Sequence, residues 1–202
     1  LSPVYDGDRA GLRISRNYQS STIIQTVYLY RTLPRIDFDT EIQWSEEHQL
    51  LKAAFPLKIH NSHATYEIQF GNLERPTYRN TSWDAARFEV CGHKWADLSE
   101  GNYGVSILND CKYGWSAVDS TLCLTLLKCA TYPNPQADKG SHAITYSLLP
   151  HGGDYRQGET VREAYSLNQP LMWRRIKTGE KKLPSEFSLV SCSNPNIIIE
   201  TF

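Results

Sequence analysis

Apolar and polar side chains alternate along most of this chain, which is the pattern of a β-strand with one buried face. The clearest case is Ile36 to Trp44, where apolar residues or threonine alternate with acidic or amide residues. The same period predicts further strands at 23–30, 55–59, 66–70, 86–90, 105–108, 122–127, 144–149 and 197–201. This number of strands predicts an all-β fold, a large antiparallel β-sandwich that occupies residues 1–202 as a single domain.

Few segments depart from this pattern. Ser45 to Leu51 has room for one helical turn, and the helical segment Thr160 to Ala164 is short. Long polar connections are predicted at Gly71–Ala85 and Ala130–Gly140, and loops of this length in a compact domain are commonly functional or mobile. The basic stretch Met172–Pro184 is predicted to be a solvated loop before the last strands.

Two polar segments between strands contain residues suited to sugar recognition. Amide, carboxylate and cationic groups can hydrogen-bond to sugar hydroxyls, and an exposed indole can stack on the apolar face of the ring. The candidate rim or interdomain residues in these segments are Arg75, Asn80, Trp83, Asp84, Asn109, Asp110 and Lys112. We expect six of these residues to cluster at one end or face of the sandwich, with Trp83 outside the core: Arg75, Asn80, Trp83, Asp84, Asp110 and Lys112. A simpler alternative is that Arg75 and Asp84 pair with each other to brace their loop.

Composition excludes several classes of partner. The 202 residues carry 21 basic and 22 acidic side chains, a net charge of −1, so neither nucleic acid nor a membrane surface is an expected partner. The sequence contains no apolar run long enough to span a bilayer. Its five cysteines are odd in number and form no paired motif, which predicts free thiols and a cytoplasmic protein.

The sequence offers no recognisable catalytic or metal-binding motif. Its six histidines are scattered, and the period of the predicted strand would point His60 and His63 to opposite faces. Glycoside hydrolysis needs two carboxyl groups on either side of one bond, but spacing within a β-protein does not show that any two converge. We therefore predict no catalytic residue and no metal ligand in this chain.

Several blocks of the sequence resemble, in the same order, the β-domain of glycoside hydrolase family 38, the zinc-dependent α-mannosidases. The most specific block runs from Ala64 to Asp84 and includes Gln69-Phe70-Gly71 and Glu74-Arg75-Pro76-Thr77. Further blocks that carry the resemblance are Arg35–Thr40, Leu51–Pro56, Arg87–Val90, Trp95–Glu100, Leu108–Gly114, Tyr146–His151 and Ala164–Asn168. The resemblance is strongest to the cytosolic-type branch.

The resemblance implies a galactose-mutarotase-like sandwich that packs against an N-terminal catalytic domain. In the family that domain holds zinc, an aspartate nucleophile and a carboxylic acid/base, and it hydrolyses α-mannosides with retention. This chain would then be an inactive, cofactor-free fragment of a longer α-mannosidase that scaffolds the catalytic domain and lines the substrate rim. A start at Leu1 rather than Met agrees with a fragment. Lys128 stands where the family usually has arginine, so it keeps the charge without the planar fork.

Two other functions remain open from the sequence. The chain could be a stand-alone carbohydrate-binding module that uses the segment Arg75–Asp84 and needs no metal. It could also be a mutarotase-like enzyme, although that chemistry needs a histidine acid and a glutamate base in one cleft, which the sequence does not show.

Overall fold

In a computed structural model that describes residues 1–175 and 184–201, thirteen strands and two helices are found. The strands are β1 (Ser2–Asp6), β2 (Arg9–Tyr18), β3 (Ser21–Tyr30), β4 (Ile36–Trp44), β5 (Leu50–Pro56), β6 (His63–Ile68), β7 (Gly71–Pro76), β8 (Val90–Cys91), β9 (Trp95–Glu100), β10 (Tyr103–Asn109), β11 (Gly114–Val118), β12 (Thr121–Lys128) and β13 (Gly140–Gly152). The helices are α1 (Ser82–Ala85) and α2 (Thr160–Asn168).

The strands form two sheets of unequal size. The larger has the order β1-β2-β3-β4-β13-β10-β9-β6-β7, and the smaller has the order β5-β12-β11-β8. All the strand pairs described are antiparallel. The predicted all-β antiparallel sandwich is therefore confirmed.

The main core lies between the sheets and follows the predicted period. Ile42, Leu98 and Ile107 of the larger sheet pack in one cluster with Leu122 and Leu124 of the smaller sheet, all almost fully buried. Burial of one face fixes the strand register, because a slip of one residue would turn every apolar side chain to solvent.

Helix α2 covers part of the opposite face of the larger sheet. Trp95, Leu108 and Leu149 point to this side, and they pack with Tyr155 and with Ala164 of the helix. Strands β9 and β10 are therefore buried on both faces, which explains why nearly every residue of β10 is inaccessible to solvent.

A buried ionic network fastens α2 to the sheet. Arg35 is 8% exposed and donates through Nε to Asp37 Oδ1 at 3.0 Å and through Nη1 to Glu163 Oε2 at 2.8 Å. The Asp37 carboxylate also accepts hydrogen bonds from Tyr30 Oη at 2.7 Å and from Ser147 Oγ at 2.6 Å. Every charge in this network has an opposite charge beside it, as buried ions require.

Several local predictions were wrong. The segment 71–85 is not one loop, because 71–76 forms strand β7 and 82–85 forms a helical turn. Of the predicted strand 86–90 only Val90 lies in a strand, β8, and Phe88 is exposed. Residues 45–51 form no helix, whereas α2 extends four residues beyond the predicted Ala164.

The chain divides into two compact units, Leu1–Leu171 and Met172–Phe202. All the strands described lie in the first unit, so the sandwich predicted for 1–202 lies within it. The described residues of the second unit contain no strand, and the strand predicted at 197–201 is wrong. The predicted loop at 172–184 falls largely on residues 176–183, which lie outside the described part of the chain. No helix in the described residues is long and apolar enough to cross a bilayer.

Candidate functional site

A small cavity lies where the edges of the two sheets meet, beside β7 and β8. Its walls include Tyr66 and Arg75 from the larger sheet, Trp115 from the smaller sheet, and Asp84 and Phe88 from the segment between β7 and β8. The cavity has a volume of about 40 Å³, which is room for roughly two or three water molecules or one small polar group. Two of the predicted site residues, Arg75 and Asp84, thus line the same cavity.

Arg75 is held against an aromatic ring. The register pairs Arg75 with Ala64, so the side chain of Arg75 shares a face of the hairpin with Tyr66. The guanidinium carbon lies 5.0 Å from the centre of the Tyr66 ring, within range of a cation–π interaction. Burial raises the pKa of the Tyr66 phenol above its usual range, and the Arg75 charge opposes that shift only in part. Tyr66 therefore stays neutral beneath a fixed positive charge.

Asp84 is committed to capping its own helix. Its Oδ2 accepts hydrogen bonds from Thr81 Oγ1 at 2.8 Å and from the Thr81 N–H at 3.2 Å, and the Asp84 N–H donates to Thr81 Oγ1. This reciprocal capping box closes α1. Arg75 and Asp84 form no ion pair in the described structure, so the alternative in which they brace the loop together is wrong. Trp83, on the same turn, is 77% exposed, and Asn80 is also exposed.

The predicted residues between β10 and β11 organise a tight turn. Asn109 is buried, its Oδ1 accepts from the N–H groups of Cys111 and Lys112, and its Nδ2 donates to the carbonyl of His93. Asp110 is exposed, and its Oδ2 accepts from the Thr145 N–H at 3.1 Å. Asn109 and Asp110 thus hold the backbone of the turn in place, as asparagine and aspartate commonly do.

Lys128 lies at the end of β12, near an ion pair on the outer face of the smaller sheet. Its N–H donates to Asp138 Oδ2 at 2.7 Å, and its side chain is exposed. Nearby, Glu89 pairs with Lys52 at 2.7 Å and accepts a hydrogen bond from Thr125. Burial raises the pKa of Glu89, but the bonds from Lys52 and Thr125, with the Lys128 charge, outweigh burial and hold that pKa below its ordinary value.

The strand that follows the first segment of predicted residues, β8, pairs with β11, which follows the second. Cys91 lies opposite Gly114, and the Gly92 N–H donates to the Tyr113 carbonyl at 3.1 Å. The cavity lies beside residues 115–117 of β11. The turn 109–113 precedes β11 and lines a separate groove. The structure therefore places these residues in two adjacent patches rather than in one pocket.

Several aromatic side chains on the β6–β7 hairpin and on the segment between β7 and β8 are exposed. Phe70 is 99% exposed at the tip of the β6–β7 hairpin, where its φ of 59° lies in the left-handed region. A bulky residue there is strained, since Cβ crowds the backbone. Trp83 and Phe88 are also largely exposed. Trp95 and Trp115, in contrast, are buried in the core and have no face free for a sugar ring.

A buried serine–histidine–aspartate group lies under α2. Asp97 Oδ2 and Ser106 Oγ lie 2.8 Å and 3.1 Å from the same nitrogen, His151 Nε2, and Ser106 Oγ is 2.6 Å from Thr160 Oγ1. A catalytic triad needs aspartate and serine on opposite ring nitrogens, but His151 Nδ1 is buried here without a partner. The group therefore anchors the first residue of α2 and cannot relay a proton from serine to aspartate.

The residues described contain no group of three or more histidine, cysteine, aspartate or glutamate side chains placed to hold a metal ion. The zinc that the family resemblance implies for the catalytic domain of a longer protein is therefore assigned to none of the described residues. All five cysteines are free thiols.

Sequence reasoning missed residues that complete the region. Tyr66 and Trp115 occupy apolar positions of strands, so the alternating pattern assigns them to the core. Their contact with each other, at 6.5 Å between ring centres, depends on how the two sheets pack. Lys52 and Thr125 likewise come together only through the pairing of β5 with β12.

Comparison with known proteins places these features in a family. The model of the glycosyl hydrolases family 38 C-terminal domain matches residues 2–136. Alpha-mannosidase 2C1 from Homo sapiens is 45% identical over 94% of the chain, and alpha-mannosidase G from Dictyostelium discoideum is 48% identical over 74% of it. The chain spans only 18% and 14% of the lengths of these two relatives.

Solved structures agree on the fold. A glycosyl hydrolase family 38 protein from Enterococcus faecalis superposes with a TM-score of 0.71 at 20% identity, covering 81% of this chain and 20% of that one. An alpha-mannosidase from the same species superposes with a TM-score of 0.66 at 17% identity, covering 78% of this chain and 22% of its own.

Proposed function

The chain belongs to glycosyl hydrolase family 38, of which it is a C-terminal domain, and from this we propose that it serves as the non-catalytic β-sandwich domain of a longer α-mannosidase. In this proposal it scaffolds a zinc-dependent catalytic domain, and its loops line the rim of a site that hydrolyses α-mannosides with retention. The observation that carries the proposal is 45% identity to alpha-mannosidase 2C1 over 94% of this chain, which amounts to only 18% of that protein.

The surface around β7 and β8 supports contact with a further domain or with substrate. Trp83 and Phe88, on the segment between β7 and β8, leave large aromatic faces in solvent, and clustered exposed apolar surface is typical of interaction sites. The proposed rim or interdomain residues are Arg75, Asn80, Trp83, Asp84, Asn109, Asp110, Lys112 and Lys128. Within this set Asn109 acts by holding the turn in shape, because its side chain is already fully occupied by backbone groups.

A cytoplasmic location is part of the proposal. It is supported by the five free thiols, since proteins of oxidising compartments usually pair their cysteines. Thiol titration of the denatured, unreduced protein should count five, and a count of three or fewer would contradict this location.

An activity assay and a binding assay together test the proposal. The 202-residue chain should not hydrolyse an aryl α-mannoside, with or without added zinc, whereas the longer protein should. Zinc-dependent turnover by the short chain would overturn the non-catalytic role. Isothermal titration of the short chain with mannose and manno-oligosaccharides should show no saturable binding. Saturable binding would favour the stand-alone carbohydrate-binding module instead.

A further inference from the structure

The cavity beside β7 contains a positive charge that the described protein does not neutralise. The Nη1 atom of Arg75 is buried and has no hydrogen-bond partner, and Arg75 has no carboxylate within ion-pair distance among the described residues. Its recorded neighbour is the face of the Tyr66 ring. A buried charged donor without an acceptor is costly, so an acceptor from elsewhere would be strongly favoured.

A second donor belongs to the same cavity wall. Trp115 is fully buried, its Nε1 has no partner, and an indole nitrogen can only donate. Trp115 and Arg75 thus line one cavity, although Gly92 packs against Trp115 Nε1, where an added Cβ would lie 2.9 Å away.

The acidic residues of the cavity wall do not supply that acceptor. Asp84 accepts hydrogen bonds from Thr81, and Glu89 is held by Lys52 and Thr125 on the outer face of the smaller sheet. Two further arginines, Arg79 and Arg87, also line the wall. The cavity wall thus has three arginines and two carboxylates, and both carboxylates already have partners. This excess of positive charge favours a bound anion.

Other buried nitrogens without partners do not have these properties. Trp95 Nε1 and His151 Nδ1 also lack partners under α2. The Trp95 ring is stacked on Tyr155, with 4.9 Å between ring centres. His151 is enclosed so closely that a Cβ added at Gly104 or at Gly158 would lie 2.3 Å from its ring. Neither atom lies beside an unpaired cation.

We propose that the cavity between Arg75 and Trp115 is a binding site for one carboxylate group. A guanidinium presents a planar pair of donors that matches a carboxylate, and Trp115 contributes part of the wall beside it. A volume of about 40 Å³ leaves room for the head of a carboxylate. The carboxylate comes either from an aspartate or glutamate of another protein segment, or from a small organic acid.

Nuclear magnetic resonance of the tryptophan indole groups tests this proposal. The ¹⁵N-labelled chain has five tryptophans, and a Trp115→Phe variant identifies the Trp115 signal. Sodium acetate, added at constant ionic strength against sodium chloride, should shift the Trp115 signal saturably and leave the Trp83 signal unchanged. Absence of a saturable shift, or an equal shift with chloride, would overturn the proposal and leave only water in the cavity.

Variants locate the site. Arg75→Gln should weaken the apparent affinity for acetate at least tenfold, and Arg75→Lys should weaken it less, because the charge remains without the fork. Arg162→Gln removes an exposed arginine of α2 and should change nothing. Undiminished acetate binding by Arg75→Gln would contradict the assignment. If that variant does not fold, the wild-type titration and Arg75→Lys still decide the matter.

The source of the carboxylate follows from a second titration on the longer protein. If a side chain of another segment fills the cavity, acetate should bind the 202-residue chain but not the longer protein. If a small acid is the ligand, acetate should bind both. The mannosidase assay gives an independent readout, so the carboxylate site and the proposed function can fail separately.

Discussion

Charged side chains are paired differently on the face of the larger sheet covered by α2 and at its β7 edge. Under α2, Arg35 lies between Asp37 and Glu163, and Asp97 accepts from His151, so each buried charge has a partner within the domain. Beside β7, Arg75 has the Tyr66 ring beneath it and no carboxylate within ion-pair distance among the described residues. From this difference we propose that the β7 side meets a partner outside the described residues, whereas the buried charges under α2 are paired within the domain.

The largest effect is expected from removing a charged partner under α2. Asp37→Ala should lower the free energy of unfolding by about 3–5 kcal/mol, because it leaves Arg35 buried beside one fewer carboxylate and removes the acceptor of Tyr30 and Ser147. Urea denaturation measures this loss. Asp6→Ala, which removes an exposed ion pair with Arg9, is the control and should cost under about 1 kcal/mol. Equal losses would show that the network does not fasten the helix.

A second test asks which of the predicted site residues stabilise the fold and which are available for binding. Asn109→Ala should cost about 2 kcal/mol, since two N–H groups and one carbonyl lose their partner in a buried turn. Lys112→Ala, three residues away, should change stability by less than about 0.5 kcal/mol. Thermal unfolding of both variants decides whether Asn109 shapes the turn. A neutral Asn109→Ala variant would refute that role.

A third test uses acid to probe the ion pair beside the cavity. The folded pKa of Glu89 is depressed, so its stabilising effect is present above the unfolded value of about 4.3 and is lost as pH falls through the folded value. Glu89→Gln should therefore be less stable than wild type near neutral pH, by under about 1 kcal/mol because the site is partly exposed. Urea midpoints of the two proteins should converge in acid. A constant difference would contradict the assignment.

The smallest expected effect concerns backbone strain at Phe70, in the β6–β7 hairpin. Phe70→Asn should raise the free energy of unfolding by about 0.5 kcal/mol, since asparagine tolerates the left-handed conformation better than phenylalanine and Phe70 is almost fully exposed. Asp119→Asn, at another turn residue with positive φ, is the control and should change little. Loss of stability in the Phe70 variant would mean that the ring packs within the domain.

Much of the fold could be predicted from the sequence because burial of one sheet face imposes a period of two. Ile36–Trp44 shows this period clearly and forms β4 with the predicted bounds. Strand β7 was missed because it lies at the sheet edge and most of its residues are polar and exposed. Its sequence therefore shows no alternation of apolar and polar residues. Helix α2 was underestimated because only Thr160 and Ala164 are buried, which is too few to show a helical period.

The candidate site was less predictable because it depends on contacts between distant strands. The sequence marks Arg75 as a polar residue in an unusual block, but only the β6–β7 register places it over Tyr66. The sequence also predicts Asp84 as a site residue, but the structure shows its carboxylate hydrogen-bonded to Thr81 in a capping box. Trp115 reads as an ordinary core residue, and its unpartnered nitrogen is visible only in the assembled fold.

We propose that the rest of a longer α-mannosidase packs on the β7 side of this domain, whereas the buried charges on the α2 side are paired within the domain. Amide hydrogen exchange, measured on the 202-residue chain and on the longer protein, tests this claim most directly. Protection should rise in the longer protein at residues 70–91 and 109–115, and it should stay unchanged in β4 and α2. Protection that rises only at α2, or nowhere, would contradict it.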